Sequence, residues 1–258
     1  MLRVSVLGAG RMGREIIGEI ASAEDLELAG VWVRANREPP SLEASAARVS
    51  TDLDEVLAAC DVAVDFSLAT ATAHVLAAAT KAKTALVCGV TGLGDERMRE
   101  LERAAQAIPL LYDRNMSLGI AVLKDLVERA APRLSVAFVA EIDETHHVHK
   151  KDAPSGTALL LGEALARSLG RDFRDVYRYE PGARRRSRED IVFSATRRGD
   201  VAGEHTVRFR SEGECLELTH KVSDRRVFAQ GALQAARWLA VQAPGLYRMS
   251  DLLGDDAT

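Results

Sequence analysis

A short segment near the middle of the chain concentrates side chains that can transfer protons and bind anions. Residues 146–157 read His-His-Val-His-Lys-Lys-Asp-Ala-Pro-Ser-Gly-Thr. Histidine titrates near neutral pH and can deliver a proton to a reacting group. A lysine beside it can stabilise developing negative charge or protonate a leaving hydroxyl. This combination suits the reduction of an imine or enamine, which needs hydride at one atom and a proton at another.

The second half of this segment predicts the start of a helix that could hold an anion. Pro154 stands where a proline is favoured near a first turn, and Ser155 and Thr157 carry hydroxyl groups suited to capping. The backbone N–H groups of Gly156 and Thr157 would then suit a substrate carboxylate. A proton donor, a cation and an anion site are therefore predicted within one short segment.

A metal site is an alternative interpretation of the same histidines. His146, His147 and His149 could supply nitrogen ligands. Alternating positions of an extended chain point to opposite faces, however, and the neighbouring lysines would repel a cation. We therefore predict no metal here, and a purely structural histidine cluster is the other alternative.

A glycine-rich stretch near the N-terminus predicts a dinucleotide site. Residues 8–13 read Gly-x-Gly-x-x-Gly, directly after a strand-like run at 2–7 and before a helical pattern. In such a loop Gly8 permits the tight turn, Gly10 lets a pyrophosphate approach the backbone, and Gly13 lets helix and strand pack closely. An ordinary glycine-rich turn between a strand and a helix is the alternative.

The end of the second predicted strand bears on the choice of nucleotide. A site for NAD usually places Asp or Glu about 20 residues after the glycines, where it binds the ribose 2′-hydroxyl. Here the strand ends in Arg34, Arg37 follows, and the nearest carboxylate, Glu38, lies further into the loop. Arg34 could pair with a 2′-phosphate through two charge-assisted hydrogen bonds. The sequence therefore predicts a preference for NADPH, with NADH as a possible second cofactor.

The elements that position these groups alternate regularly in the first half of the chain. Helical patterns separate a series of short apolar runs, which is typical of right-handed βαβ crossovers and a parallel, doubly wound sheet. The fold class predicted for this part is α/β and Rossmann-like. The predicted strands are residues 2–7, 26–33, 62–65, 84–88 and 108–112.

After residue 117 the pattern changes, which predicts a second domain. A long helix at 118–131, closed by Pro132, precedes a strand at 136–143 and a helix at 155–168. Three further strand-like runs then follow without helices between them, which favours an α+β domain with a mixed sheet. We predict a dinucleotide-binding domain from residues 1–117 and 227–258, and a substrate-binding and oligomerisation domain from residues 118–226.

Composition argues against several classes of function. The 34 Lys and Arg residues and 38 Asp and Glu residues give a net charge of −4, so nucleic acid and anionic membranes are not expected as partners. The three cysteines are widely separated, which fits a reducing compartment. The N-terminus has no signal-peptide layout, and no apolar stretch approaches the ~20 residues that span a bilayer. We therefore expect a cytoplasmic protein that acts on a small molecule.

Residues 144–158 resemble the signature of the 4-hydroxy-tetrahydrodipicolinate reductase family, also called dihydrodipicolinate reductase. The resemblance extends over essentially the whole chain. The other shared motifs are residues 10–13, 64–67, 91–92, 115–119, 198–200, 203–205, 228–232 and 245–249.

This resemblance implies roles for individual residues. His146 matches the proton donor of the family and Lys150 its second catalytic residue, while His147, Gly156 and Thr157 match its substrate contacts. The residues that match the cofactor contacts are Gly8, Ala9, Gly10, Arg11, Met12, Arg34, Gly89, Val90, Thr91, Asp113, Arg114, Asn115 and Met116.

The resemblance also implies a reaction and an assembly. The family uses NADH or NADPH to reduce the dicarboxylate 4-hydroxy-tetrahydrodipicolinate to tetrahydrodipicolinate with loss of water, a step towards diaminopimelate and lysine. Its members are usually homotetramers that associate through the sheet of the substrate domain. Two alternatives are another two-domain NAD(P)-dependent dehydrogenase of a small imine or carbonyl compound, and a nucleotide-sensing module without turnover.

Overall fold

The computed structural model describes residues 1–35, 47–134, 137–179 and 187–254. Arg37 and Glu38, and the start of the strand predicted at 136–143, lie outside these ranges. The chain divides into two compact units. The first unit comprises Met1–Ser117 and Arg226–Thr258, and the second comprises Leu118–Arg225.

Strands and helices are numbered along the chain. The strands are β1 (Leu2–Leu7), β2 (Leu26–Trp32), β3 (Arg48–Ser50), β4 (Val62–Asp65), β5 (Ala85–Cys88), β6 (Pro109–Tyr112), β7 (Val139–His146), β8 (Tyr177–Arg178), β9 (Ile191–Arg197), β10 (Gly203–Arg210), β11 (Cys215–Val222) and β12 (Gly245–Tyr247). The helices are α1 (Arg11–Ala21), α2 (Leu53–Ala58), α3 (Thr72–Ala82), α4 (Asp95–Ala105), α5 (Leu118–Leu134), α6 (Gly156–Ser168), α7 (Phe173–Val176) and α8 (Arg226–Leu239), with a 3-10 helix at Met249–Leu253.

The first unit contains a parallel sheet of seven strands in the order β12-β6-β5-β4-β1-β2-β3. Its central strands β4 and β5 are buried along their whole length, because parallel strands covered on both faces exclude water from both sets of side chains. The strand order reverses direction between β1 and β4. In such sheets ligands bind outside the carboxyl ends of the strands at this switch point, and the loop that starts at Gly8 lies there.

The C-terminal part of the chain adds a strand that the sequence did not predict. Residues Gly245–Tyr247 form β12, which pairs in parallel with β6. The strand has three residues, too few for an apolar alternation to be visible. Helix α8 packs against β4, β5 and β6.

The second unit contains a mixed sheet of five strands in the order β11-β10-β7-β9-β8. Strand β10 is antiparallel to β7 and β11, whereas β7 and β9 are parallel. The core of this unit contains apolar side chains of the sheet together with those of α5 and α6, including Ile142, Phe193, Val207, Val127 and Leu161. The α/β fold class with a second, mixed sheet is confirmed.

The bounds of helix α5 and strand β7 differ from the expectation, and β7 begins at Val139, after residues 137 and 138 of the predicted strand. Helix α5 continues to Leu134 with Pro132 inside it; the proline removes one hydrogen bond, and the helix ends two residues later. Strand β7 extends three residues past the predicted end at Asp143, so that His146 closes the strand.

None of the helices in the described ranges has the length and apolar character that crossing a membrane requires. Cys60 and Cys88 are buried, Cys215 is exposed, and all three are free thiols.

Candidate active site

A polar cluster lies at one end of the inner face of the second sheet. Along β7 the buried side chains are Ile142, Glu144 and His146, which share a face because side chains alternate along a strand. His146 lies opposite Arg197 of β9, and Glu144 lies opposite His205 of β10. Three neighbouring strands thus each place a polar side chain where their apolar inner positions end.

Glu144 and His146 form a buried pair within this cluster. The imidazole Nδ1 of His146 contacts Glu144 Oε2, and the glutamate side chain has no exposed surface. Burial alone would raise the pKa of Glu144, but hydrogen bonds from His146 and Arg197 outweigh it and hold the pKa below its ordinary value. The carboxylate is therefore charged at neutral pH.

Arg197 ties the loop after β7 to the same carboxylate. Its Nη2 donates to Glu144 Oε1 at 3.0 Å and to the backbone oxygen of Asp152 at 2.5 Å. Its Nε donates to the backbone oxygen of Lys150 at 3.2 Å. One guanidinium group therefore fixes two points of the loop that carries the predicted catalytic lysine.

Ser155 begins the predicted anion-binding helix and joins it to the cluster. It is the N-cap of α6, and its hydroxyl accepts a hydrogen bond from the Ala158 N–H at 3.1 Å. Its own N–H donates to Glu144 Oε1 at 3.2 Å, and its hydroxyl lies 3.0 Å from His205 Nε2. The predicted helix entrance is confirmed, and Gly156 and Thr157 form its first turn.

His205 is a member of the cluster that the sequence-based prediction did not include. Its ring lies 5.0 Å from that of His146 in an edge-to-face arrangement, and it is 3% exposed. Burial lowers the pKa of His205 to about 3, so this imidazole is neutral at pH 7. The sequence feature that could have indicated His205 is its place in the shared motif at 203–205.

The remaining histidines of the segment do not converge on His146. The Nε2 of His147 accepts a hydrogen bond from Arg225 at 2.9 Å, and the ring of His149 is exposed. Burial and the nearby charge of Arg225 lower the pKa of His147. Lys150 extends its ammonium group to Asp152, with 2.8 Å between Nζ and Oδ2.

Only one set of side chains in the described ranges has metal-ligand geometry, and it differs from the trio of histidines considered above. One atom each of Glu144, His146 and His205 lies within 4.8 Å of the others. The guanidinium of Arg197, 3.0 Å from Glu144, already compensates the carboxylate. This positive neighbour favours a proton-transfer pair over a cation site.

The glycine-rich loop of the first unit has the geometry of a dinucleotide site. Gly8 has a positive φ of 96°, and a side chain there would meet the Cα of Ser67 at 2.9 Å. A side chain at Gly13 would collide with the carbonyl of Gly8. At Gly10, by contrast, a Cβ would meet no atom within 4 Å, so protein packing does not explain that glycine.

A cavity of about 200 Å³ opens beside this loop. Three predicted loop residues and Arg34 line it, so the residues present fit a nucleotide. Arg14, which the prediction did not include, lines it too; it lies one helical turn after Gly10. The other lining residues are Trp32, Val33, Phe66, Ser67, Leu68 and Ala71.

The remaining predicted cofactor residues follow strand ends of the same sheet. Gly89, Val90 and Thr91 come directly after β5, and residues 113–116 directly after β6. The carboxylate of Asp113 accepts hydrogen bonds from backbone N–H groups, including that of Met249 at 3.3 Å. This side chain is buried and helps to hold the loop in shape. Arg11 is exposed at the start of α1, and Met12 is partly buried.

A Rossmann-type sheet with a glycine-rich loop, together with a second unit that holds a buried acid–base cluster, defines a two-unit NAD(P)-dependent oxidoreductase. Residues 2–116 match the family model described as dihydrodipicolinate reductase, N-terminus, and residues 119–253 match its C-terminus counterpart. The chain belongs to the dihydrodipicolinate reductase family, as the sequence resemblance predicted.

Individual relatives agree with this membership. The chain is 43% identical over 263 residues to the 4-hydroxy-tetrahydrodipicolinate reductase of Alkalilimnicola ehrlichii, and the alignment covers 98% of each chain. A solved structure of dipicolinate-bound dihydrodipicolinate reductase from Paenisporosarcina sp. TG-14 matches with a TM-score of 0.77 and 21% identity, covering 96% of this chain and 97% of that one. A probable dehydrogenase from Thermotoga maritima matches with a TM-score of 0.64 and 13% identity, covering 97% and 92%. The fold is thus shared with other dehydrogenases.

Proposed function

We infer that this chain reduces 4-hydroxy-tetrahydrodipicolinate to tetrahydrodipicolinate with release of water, in diaminopimelate and lysine biosynthesis. The observation that carries the inference is the buried His146–Glu144 pair, joined through Ser155 to the N-terminus of α6. This reaction requires the protein to deliver a proton and to bind a carboxylate. The family membership supports the same reaction.

Each residue of the segment has a task in this proposal. His146 donates the proton from Nε2, because its Nδ1 is engaged by Glu144. The first-turn N–H groups of Gly156 and Thr157 and the positive end of the helix bind a substrate carboxylate. Lys150 protonates the hydroxyl, which leaves as water while the neighbouring ring carbon releases a proton, so that His146 supplies the one net proton that accompanies the hydride. His147 contacts substrate. The bound dinucleotide supplies the hydride.

The decisive experiment follows NADPH absorbance while the substrate is generated from pyruvate and aspartate semialdehyde by a condensing enzyme. We expect oxidation that depends on both precursors and on this chain. A folded sample that binds NADPH without oxidising it would instead favour a nucleotide-sensing module. Oxidation with other small imines but not with this substrate would favour a different dehydrogenase.

We further propose that Arg34, assisted by Arg14, gives the protein its preference for NADPH. Both side chains line the nucleotide cavity, and a guanidinium group pairs well with a 2′-phosphate. Arg34→Ala is expected to raise KM for NADPH by about 10- to 100-fold, the equivalent of one charged hydrogen-bonding partner. Its kcat/KM for NADH should remain near the native value.

Steady-state kinetics with both nucleotides test this prediction. Arg103→Ala, at an exposed arginine of α4 in the same unit, is the matched control and should leave both cofactors unaffected. An Arg34→Ala variant with native KM for NADPH, or a native protein that uses NADH equally well, would refute the assignment.

The second and third glycines of the loop, Gly10 and Gly13, are expected to respond differently to an added methyl group. Gly10→Ala meets open space, so its melting temperature should stay within about 2 °C of native while Kd for NADPH rises about tenfold or more. Gly13→Ala collides with the backbone of Gly8, so it should lose about 1–3 kcal/mol of stability. Thermal unfolding and nucleotide titration separate the two effects; equal affinity for NADPH in Gly10→Ala and native protein would contradict the loop assignment.

We also propose that the chain works in the cytoplasm as a homotetramer associating through the second unit. Strand β11 ends the five-stranded sheet and carries an exposed apolar side chain, Leu216, which is 41% exposed. Light scattering on a purified sample measures the assembly mass, and a monomer at micromolar concentration would exclude the tetramer.

A further inference from the structure

We propose that Glu144 is a positioning residue whose two carboxylate oxygens hold the proton donor and the carboxylate-binding helix in one fixed relation. One oxygen engages the ring of His146, and the other accepts the N–H of Ser155 at 3.2 Å. The proposal deepens the proposed function, because it assigns a task to a side chain that does not itself touch substrate.

The fold holds the backbone and side chain of Glu144 in a fixed position. It lies in the central part of the sheet, with β10 on one side and β9 on the other, so its backbone is held from both edges. Its side chain has no exposed surface. The Arg197 guanidinium is 3.0 Å away and also clamps the loop carbonyl groups of Lys150 and Asp152.

Only a carboxylate can make this set of contacts. The ring nitrogen of His146, the N–H of Ser155 and the guanidinium of Arg197 are all donors, and a carboxylate presents acceptors alone. A glutamine would offer one acceptor oxygen and turn its NH₂ group towards one of these donors. A buried donor without an acceptor is energetically costly, so the amide would force the cluster to rearrange.

The same contact selects the proton that His146 can give. A hydrogen bond from Nδ1 to Glu144 leaves Nε2 as the nitrogen that carries the transferable proton. The other titratable groups that face this ring are His205 from β10, which is neutral at pH 7, and Arg197 from β9. Glu144 is thus the sole negative charge among these partners.

The test compares Glu144→Gln with Glu128→Gln in the coupled assay. Glu128 belongs to the same unit and has an arginine partner, Arg167 at 2.5 Å, so the same substitution there controls for loss of a paired carboxylate. Native protein is assayed first; if it shows no turnover, the proposed function fails and the positioning role is judged by the spectroscopic measurement below.

For Glu144→Gln we expect kcat to fall about 10- to 100-fold and KM for the substrate to rise. Both parameters should change, because the proton donor and the carboxylate-binding helix lose their common support. Glu128→Gln should keep native kcat and KM. A Glu144→Gln variant with native kcat and native KM would overturn the proposal.

Proton–nitrogen correlation NMR of ¹⁵N-histidine-labelled protein provides a readout that does not depend on turnover. The chain has six histidines, and the signals of His146 are assigned by their absence from His146→Gln. In native protein the Nδ1 proton should resonate far downfield, and Glu144→Gln should lose that signal while Glu128→Gln retains it. An unchanged His146 signal in Glu144→Gln would refute the pairing.

If the glutamine variant does not fold, the Glu144→Asp variant tests the positioning role instead. Aspartate keeps the charge but is one methylene shorter, so it cannot reach His146 and Ser155 together. We then expect a fall in kcat of about tenfold or more. Native kcat in the aspartate variant would show that the double contact is dispensable.

Discussion

A His146→Gln variant is expected to lose about 10²- to 10⁴-fold in kcat while binding NADPH as tightly as native protein. Glutamine has a similar reach but cannot supply an acidic proton, so the reaction loses its proton donor. Nucleotide affinity should persist because the glycine loop and its cavity belong to the first unit, whereas His146 belongs to the second.

The matched control is His149→Gln, the same substitution three residues further along the same segment. His149 is exposed, and its ring lies 6.2 Å from that of His147. Its replacement should therefore change kcat by less than about twofold, the scale of an ordinary surface substitution. Single-turnover measurements at saturating NADPH report the chemical step directly. If His146→Gln retains more than a tenth of native turnover, another group delivers the proton.

Features that depend on local chemistry were predictable from the sequence. The glycine loop is one example, because a positive φ at Gly8 and a collision at Gly13 demand residues without a side chain at fixed spacing. The N-cap of α6 is another, since serine before a helical pattern is a short-range signal that needs no tertiary context.

The end of β7 shows where apolar patterning stops being informative. The predicted strand ended at Asp143 because glutamate and histidine ordinarily face water. In the structure Glu144 and His146 occupy inner positions, where they satisfy each other and receive Arg197. A strand that buries a polar pair cannot be distinguished from a loop until the partners are known.

Those partners come from distant parts of the chain. Arg197 lies 53 positions after Glu144, and His205 lies 50 positions after Ser155. The register of β7 with β9 and β10 brings them together, and no spacing rule in one sequence encodes that register. Arg14 was missed for a related reason, because one exposed arginine on a helix looks like any other until a cavity opens beside it.

Asp65→Asn is expected to change how stability responds to pH. Asp65 ends β4 and is completely buried; its Oδ1 accepts the N–H of Ser67 at 2.8 Å, and its Oδ2 has no partner among the described residues. Burial raises the pKa of Asp65 from its ordinary 3.8 to about 6. Asparagine keeps the accepting oxygen and cannot ionise, so it removes this titration from the folded chain.

The sign of the effect follows from proton binding. Well below pH 3.8 the carboxyl group is protonated in both folded and unfolded chains. Between pH 4 and pH 6 the unfolded chain releases the proton and the folded chain retains it, so stability falls as pH rises and then levels off. A rise in pKa from 3.8 to about 6 corresponds to about 3 kcal/mol over the whole titration, of which native protein loses about 2 kcal/mol between pH 4 and pH 7.

The measurement is therefore a double difference. The free energy of unfolding of native protein and of Asp65→Asn is determined in urea at pH 4 and pH 7, and the variant should gain about 2 kcal/mol relative to native between the two. A pH-independent cost of burying the amide cancels in this double difference, and so do the contributions of all other titrating groups. Asp61→Asn is the control, because the hydrogen bond from Arg3 lowers the pKa of Asp61 and places its titration below this interval. Its double difference should be near zero, and an equally flat result for Asp65→Asn would mean that Asp65 is ionised without penalty in the folded protein.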